Sequence, residues 1–137
     1  MDFILPLDIS QGAMLRGNEY GWSVSSFPDA LARAEAHGYA CLGGQFQFRL
    51  EEATCEMYWL EANSKERVEG ESWVEYCHRS CSEVLSGFRR LVSATDFVKE
   101  ASGWPSVQID PTKSLVFVAY FVTESNLAAT RNQAIAR

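Results

Sequence analysis

The residues of this chain best suited to chemistry are Cys77, His78 and Cys81, which form the segment "CHRSC". A structural zinc ion needs four such ligands. The remaining thiols and the second histidine belong to other predicted elements, no C-x-x-C pair occurs, and a haem-attachment motif would place histidine after the second cysteine. Cysteines four residues apart share one side of a helix. We therefore expect Cys77 and Cys81 in the core, His78 at the helix edge, and no metal or cofactor.

Other reactive arrangements have little support in the sequence. A Cys–His nucleophile would have to bring His37 or His78 to a thiol, and neither histidine lies in a recognisable signature. The glycines of "CLGGQ" lack the phosphate-binding patterns and predict a bend entering a strand. Glu56 could act with an acid of segment 61–71 as an acid/base pair, but crowded charges alone do not locate a cleft. The sequence therefore favours a protein without catalytic apparatus, with a small enzyme as the weakest alternative.

Two helices have clear boundary signals. In "SSFPDALARAEAHGY", Ser26 suits the N-cap and Gly38 a left-handed stop, which predicts a helix near 27–37. In "SWVEYCHRSCSEVLSGFRRLV", apolar residues recur every 3.6 positions, and Ser72 with Glu75 has the spacing of a capping box. We also expect a short helical turn in "TDFVKEAS" and a weaker helix in the C-terminal tail.

The segments "YACLGGQFQFRL" and "TCEMYWLEA" predict a β-hairpin. A loop of two or four residues gives the same two faces, whereas a loop of three would mix polar and apolar neighbours. The apolar face, expected on the core, carries Phe46, Phe48, Leu50, Cys55, Met57 and Trp59. The other face carries Gln45, Gln47, Arg49, Glu56, Tyr58 and Leu60.

The polar face of this hairpin has two interpretations. It can be a partly exposed sheet surface with a cross-strand pair between Arg49 and Glu56, or it can bind a partner through its hydrogen-bonding groups. The apolar face predicts Trp59 as a core anchor, and the long helix does the same for Trp73. A later run, "SLVFVAYFV", is apolar on both sides and predicts a strand inside the sheet.

These elements predict one domain spanning residues 1–137. No repeat or linker interrupts the 137 residues, and a chain of this length is of ordinary size for a single core. We expect the α+β class, with a mainly antiparallel sheet of about 4–5 strands packed with two or three helices.

Charge indicates the kind of partner. The net charge is −6, and residues 51–75 contain eight acids and only two bases. Such a field favours a basic protein partner and disfavours nucleic acid, although it also suits a loop that only aids solubility. The sequence shows no signal-peptide pattern and no apolar run long enough to span a bilayer, so we expect a cytoplasmic protein with reduced cysteines and no membrane association.

In size, element order and concentrated acids, the chain resembles the small immunity proteins that bacteria make against polymorphic or contact-dependent toxins. The resemblance rests on "GGQFQF", "CEMYWL", "ESWVEY" and the acids of 51–75. It implies a stoichiometric inhibitor of a toxin, often a basic nuclease, and the alternative is another bacterial or phage-related binding module. From the residues themselves we predict partner contacts at eight positions: Gln45, Gln47, Glu56, Tyr58, Glu66, Glu69, Glu71 and Glu75.

Overall fold

The computed structural model describes residues 4–105 and 111–128 and is built on an antiparallel five-stranded sheet. The elements are, in chain order, α1 (Leu7–Ser10), β1 (Met14–Arg16), β2 (Glu19–Trp22), α2 (Phe27–Ala36), β3 (Ala40–Arg49), β4 (Thr54–Asn63), α3 (Trp73–Ala94), α4 (Phe97–Ala101), α5 (Pro111–Ser114) and β5 (Leu115–Val122). The strand order is β1-β2-β5-β3-β4, so β5 lies inside the sheet, as its apolar run predicts. The α+β class is confirmed.

Both main helices begin and end close to where the sequence predicts. At the start of α3, Ser72 Oγ accepts a hydrogen bond from the Glu75 N–H at 3.1 Å, and the Glu75 carboxylate accepts one from the Ser72 N–H at 2.9 Å. The predicted capping box is therefore formed. Helix α2 stops before Gly38, which has φ +82°. Ser26 occupies the predicted N-cap position, although its hydroxyl bonds Ser23 and not the helix backbone.

The core lies between the sheet and these two helices. Phe27 of α2 and Phe88 of α3 meet Phe46 of β3 and Phe117 of β5, with ring centroids 4.7 to 5.6 Å apart. All four rings are buried. Burying large aromatic side chains supplies much of the stability of a domain of this size.

The hairpin of β3 and β4 has the predicted parity. Phe48 pairs with Cys55 and Gln47 with Glu56. The Leu50 N–H donates to the Ala53 carbonyl at 2.8 Å, which leaves Glu51 and Glu52 as a two-residue loop. The even loop length predicted from the face pattern is confirmed.

A bulge in β4 overturns the prediction for Trp59. Met57 pairs with Phe46 and Glu61 pairs with Gln45. The three residues of β4 between Met57 and Glu61 therefore have no paired residue in β3. The faces are exchanged beyond this point, and Leu60 and Ala62 point to the core. Trp59 is displaced to the sheet edge and is 48% exposed. It is a rim residue and not a core anchor.

The cause of the bulge lies in α3. In a regular hairpin, Trp59 would stand opposite Gly44, the position that Ala62 takes instead. A Cβ added at Gly87 of α3 would lie only 2.8 Å from the Ala62 Cβ. Because the helix passes this close to the sheet, an indole does not fit at this site.

The prediction that Trp73 is a core anchor is also only partly met. Trp73 is half-buried and packs against a second cluster made of Ala40, Tyr76, Cys77 and Val122. Its indole N–H donates to the Gly38 carbonyl at 2.7 Å. The residue therefore ties the start of α3 to the end of α2 from the rim of the fold.

Two regions complete the description. The short hairpin of β1 and β2 was not predicted from the sequence, and it extends the sheet beyond β5. Residues 124–128 are helical, while the rest of the predicted C-terminal helix lies outside the described residues. Within the described ranges, no helix combines the length and the apolar character needed to cross a bilayer.

Candidate functional site

The thiols of the "CHRSC" segment lie on the buried side of α3. Cys77 and Cys81 are each 3% exposed, and burial raises the pKa of Cys77 to about 11 and that of Cys81 to about 12. Both thiols therefore stay protonated near neutral pH, when a nucleophile would have to be a thiolate. His78 is exposed, and its Nδ1 lies 3.3 Å from the Glu35 carboxylate.

Metal-binding groups are not assembled elsewhere in the described ranges. All four cysteines are buried there without a disulfide bond. Among residues 4–105 and 111–128, no three side chains of His, Cys, Asp or Glu come together as a metal site.

Gln47 and Arg49, on the polar face of the hairpin, are buried. Gln47 is 0% exposed and Arg49 is 4% exposed. The Arg49 Nε donates to Gln47 Oε1 at 3.2 Å, and its two Nη atoms donate to the carbonyls of Met14 and Glu19. The predicted pair between Arg49 and Glu56 is therefore wrong, and Gln47 cannot make the directional partner contact predicted for it.

This end of the sheet curls over its polar face. In a flat sheet, β1 and β3 would stand about 14 Å apart, because two strands separate them. Arg49 nevertheless reaches the Met14 carbonyl, and Arg16 of β1 donates to the Ala53 carbonyl and to Thr54 Oγ1 at 3.0 and 2.6 Å. The two arginines thus join the N-terminal hairpin to the β3–β4 turn.

Gly21 leaves room for the Arg49 guanidinium. A Cβ at this position would lie 3.2 Å from Arg49 Nη1 and 2.9 Å from a methyl carbon of Val116. Burial lowers the pKa of Arg49, and the neighbouring Arg16 adds to that effect. Among residues 4–105 and 111–128, the amide Nε2 of Gln47 has no hydrogen-bond partner. This closed end of the polar face therefore holds more hydrogen-bond donors than acceptors.

The rest of the polar face is open and acidic. Tyr120 is 41% exposed, and its hydroxyl donates to the Glu19 carboxylate. Partial burial, this hydrogen bond and the charges of Glu19 and Glu56 together raise the pKa of Tyr120. Gln45 is half-buried here, and Glu56 is exposed.

The segment that follows β4 wraps around Arg79 of α3. Arg79 Nε and Nη2 donate to the two carboxylate oxygens of Glu71 at 2.6 and 2.9 Å. Its Nη atoms also donate to the carbonyls of Lys65 and Glu66 and to the Glu83 carboxylate. The bidentate hydrogen bond from Arg79 lowers the pKa of Glu71, whose side chain is only 9% exposed. Glu71 therefore stabilises this segment.

The eight predicted partner residues thus fall into two groups. Gln47 is buried, Glu71 is paired with Arg79, and Glu75 belongs to the capping box, which lowers its pKa through the bond to the Ser72 N–H. Gln45 is half-buried, and Glu56, Tyr58, Glu66 and Glu69 are exposed. Glu66 and Glu69 lie far from Gln47, because Ser64, just before them in the chain, bonds the Cys41 carbonyl, six residues or about 20 Å along β3 from Gln47.

The exposed carboxylates follow β4 and the loops at its two ends. We call this set the acidic edge, because β4 is an edge strand of the sheet. None of its members forms an ion pair with another described residue. The acidic edge consists of Glu51, Glu52, Glu56, Glu61, Glu66 and Glu69.

Two aromatic side chains project from the middle of the acidic edge. Tyr58 is 69% exposed, and its ring meets that of Trp59 edge-on, with centroids 5.1 Å apart. Trp59 in turn stacks on Trp104 with an interplanar angle of 12°. The bulge in β4 creates this pair, and the only sequence signal is the run Tyr58–Trp59–Leu60, which interrupts the alternation of the strand.

A shallow cavity of about 240 Å³ lies where the end of α2 meets the start of α3. It is lined by Glu35, Gly38, Trp73, Val74, Cys77 and His78. Its only thiol is protonated at neutral pH, and its imidazole is at the protein surface. The cavity therefore offers less chemistry than the acidic edge.

Comparisons of the chain with protein-family models, with curated proteins and with solved structures found no significant match. The site is therefore interpreted from its own geometry.

Proposed function

We propose that this chain is a non-catalytic binding protein that docks a basic partner protein on the acidic edge. The observation that carries the proposal is the set of six exposed carboxylates without an ion-pair partner among the described residues, spread along one strand and its two loops. Unpaired surface charge of one sign attracts a partner of the opposite sign and fixes its orientation. Tyr58 and Trp59 supply, within the same edge, the residue types that most often dominate binding energy.

The proposed biological role is stoichiometric inhibition of that partner, as the likeness to bacterial immunity proteins implies. An inhibitor of this kind covers the working surface of a toxin, for which a basic nuclease is the best-matched class. The acidic edge suits such a role because a nuclease must expose a positive surface to bind nucleic acid.

The product of the gene adjacent to this one is the first partner to test. The purified chain is titrated into that protein, and complex formation and the partner's activity are both measured. We expect a one-to-one complex, and activity that falls to zero at equimolar addition. A complex without inhibition would instead indicate a binding module of another kind.

A matched pair of variants tests the surface itself. The double change Glu56→Lys and Glu61→Lys reverses two charges at the centre of the acidic edge, and we expect it to weaken binding by at least about tenfold. The control is Asp29→Lys with Glu100→Lys, which makes the same net change on two helices outside the edge. Equal binding by both variants would show that the acidic edge is not the docking surface.

A further inference from the structure

The chain twice uses one combination of groups to hold an arginine at its surface. The Arg67 guanidinium lies over the Trp73 ring at 5.2 Å and bonds the Glu124 carboxylate at 2.7 Å. The Arg79 guanidinium lies over the Tyr76 ring at 5.3 Å and bonds the Glu71 carboxylate. In both cases an aromatic ring binds the face of the cation and a carboxylate binds its N–H groups.

The same groups recur at the bulge of β4, where no described side chain supplies a cation. Tyr58 and Trp59 present two exposed rings, and the exposed carboxylates Glu56 and Glu61 lie two residues before Tyr58 and two residues after Trp59. Neither carboxylate has an ion-pair partner in the described part of the chain. Arg16 and Arg49, on the polar face of the sheet, donate instead to backbone carbonyls.

The two rings are held in place before any ligand binds. Trp59 packs on Trp104, and Trp104 packs on the buried ring of Phe48 at 6.0 Å. Tyr58 is fixed edge-on against Trp59. Since these contacts limit the rotamers of the two rings, binding a third planar group costs less conformational entropy than it would with rings that have no neighbours.

We infer that the Tyr58–Trp59 pair, with Glu56 and Glu61, binds an exposed arginine side chain of the basic partner protein. The guanidinium stacks on the aromatic surface, and its N–H groups donate to one of the two carboxylates. This inference rests on the proposed function, and it identifies which partner residue the acidic edge recognises. Guanidinium is favoured over ammonium because it is planar and can stack and donate at the same time.

The probe is a capped tripeptide, acetyl-Gly-Arg-Gly-amide, titrated into the ¹⁵N-labelled chain while the tryptophan indole N–H signals are recorded by NMR. The Trp59 signal is assigned from Trp59→Phe. We expect the Trp59 signal to shift at millimolar peptide while that of Trp73, whose ring already carries Arg67, stays in place. The citrulline tripeptide, a neutral isostere, should bind at least about fivefold more weakly.

Variants at exposed positions separate the groups involved. Tyr58→Ala and the double change Glu56→Gln with Glu61→Gln should each weaken arginine binding severalfold, whereas Tyr58→Phe should retain it. Equal binding of the arginine and citrulline peptides overturns the inference, and equal binding of a lysine peptide overturns the assignment to guanidinium. Circular dichroism of each variant verifies that the fold is retained.

The outcomes also separate this inference from the proposed function. If a basic partner binds the acidic edge and Tyr58→Ala leaves its dissociation rate unchanged, the arginine site is wrong and the proposed function stands. If the arginine peptide binds at Trp59 but the adjacent gene product is neither bound nor inhibited, the arginine site stands and the proposed function fails for that partner.

Discussion

Trp22 and Trp59 show how differently two tryptophans of one sheet contribute to the fold. Trp22 is 0% exposed, meets the ring of Phe121 edge-on at 5.6 Å, and donates its indole N–H to the Ile9 carbonyl at 3.3 Å. Trp59 has one stacked neighbour from the core rim and is half open to water. Their burial, and not their residue type, decides what each adds to stability.

We therefore predict that Trp22→Ala lowers the free energy of unfolding by about 3–5 kcal/mol, the usual cost of truncating a buried aromatic. Trp59→Ala should cost only about 1–2 kcal/mol, because roughly half of its apolar surface is already exposed. Urea denaturation of the two variants measures both values. A larger loss for Trp59 than for Trp22 would contradict the placement of Trp59 at the rim.

The contribution of Glu71 to the stability of the fold depends on pH. Its pKa is lowered in the folded protein, chiefly by the hydrogen bond from Arg79. A carboxyl with a lowered folded pKa adds stability above its unfolded pKa, about 4.3, and this contribution is lost as the pH falls through the folded pKa.

We predict that Glu71→Gln is less stable than the parent chain at pH 7 and that the difference shrinks as the pH is lowered below about 4. Unfolding free energies at both pH values provide the measurement. Glu66→Gln is the control, since Glu66 is exposed and only its backbone carbonyl meets Arg79. A constant difference across this pH range would show that Glu71 is not held as a carboxylate.

At the scale of elements, the approach of α3 to β4 decides where the aromatic residues of the edge point. Gly87 of α3 faces Ala62 of β4, and a Cβ at Gly87 would lie only 2.8 Å from the Ala62 Cβ. A glycine inside a helix ordinarily costs about 1 kcal/mol relative to alanine. In this protein, the absence of a Cβ at Gly87 allows α3 to lie close to Ala62.

Gly87→Ala should therefore destabilise the protein, opposite in sign to the usual effect of this change in a helix. The added Cβ would stand 2.8 Å from that of Ala62. The double variant Gly87→Ala with Ala62→Gly removes the clash and should recover part of the loss. Thermal unfolding of the single and double variants decides the matter, and a single variant more stable than the parent would refute the close approach.

The elements that could be predicted from the sequence are those whose signals are local. The capping box of Ser72 and Glu75, the stop at Gly38 and the two-residue turn of Glu51 and Glu52 each depend on a few neighbouring residues, and all three are present. The bulge at Trp59 depends on α3, which begins more than ten residues later in the chain. The run Tyr58–Trp59–Leu60 interrupts the alternation of β4, but no pattern within the strand alone fixes which residues leave the register.

The polar face of the hairpin was likewise predictable only in its local features. Its alternation could be predicted, but its burial could not, because Gln47 and Arg49 are covered through the N-terminal hairpin. That hairpin has one strand of three residues and one of four, too short to show a period. Five of the eight predicted partner residues stay exposed, but the carboxylate of one of them, Glu75, is used in the predicted capping box. Glu71 was predicted as a partner contact because the sequence does not show its bonds to Arg79.

At the scale of the whole molecule, the distribution of charge matters more than its sum. The net charge is −6, but Glu71 is neutralised locally by Arg79, and the six carboxylates of the acidic edge, which have no ion-pair partner among the described residues, lie along one edge of the sheet. A one-sided field of this kind steers a basic protein before contact, and dissolved salt screens it over about 10 Å at 0.1 M.

The steering can be tested with Glu66→Lys and Glu69→Lys together, which reverse the acidic edge at the end away from the aromatic pair. Both residues are exposed, so we expect the variant to keep the fold. Once a basic partner has been identified, we expect this variant to associate with it about tenfold more slowly at low salt, with little change in the dissociation rate. The salt dependence of its association rate should also be flatter than that of the parent chain.

Asp29→Lys with Glu100→Lys changes the net charge equally but lies outside the edge, and stopped-flow association should show less than about a twofold effect for it. If both double variants slow association to the same extent, steering follows the net charge, and the acidic edge has no directional role.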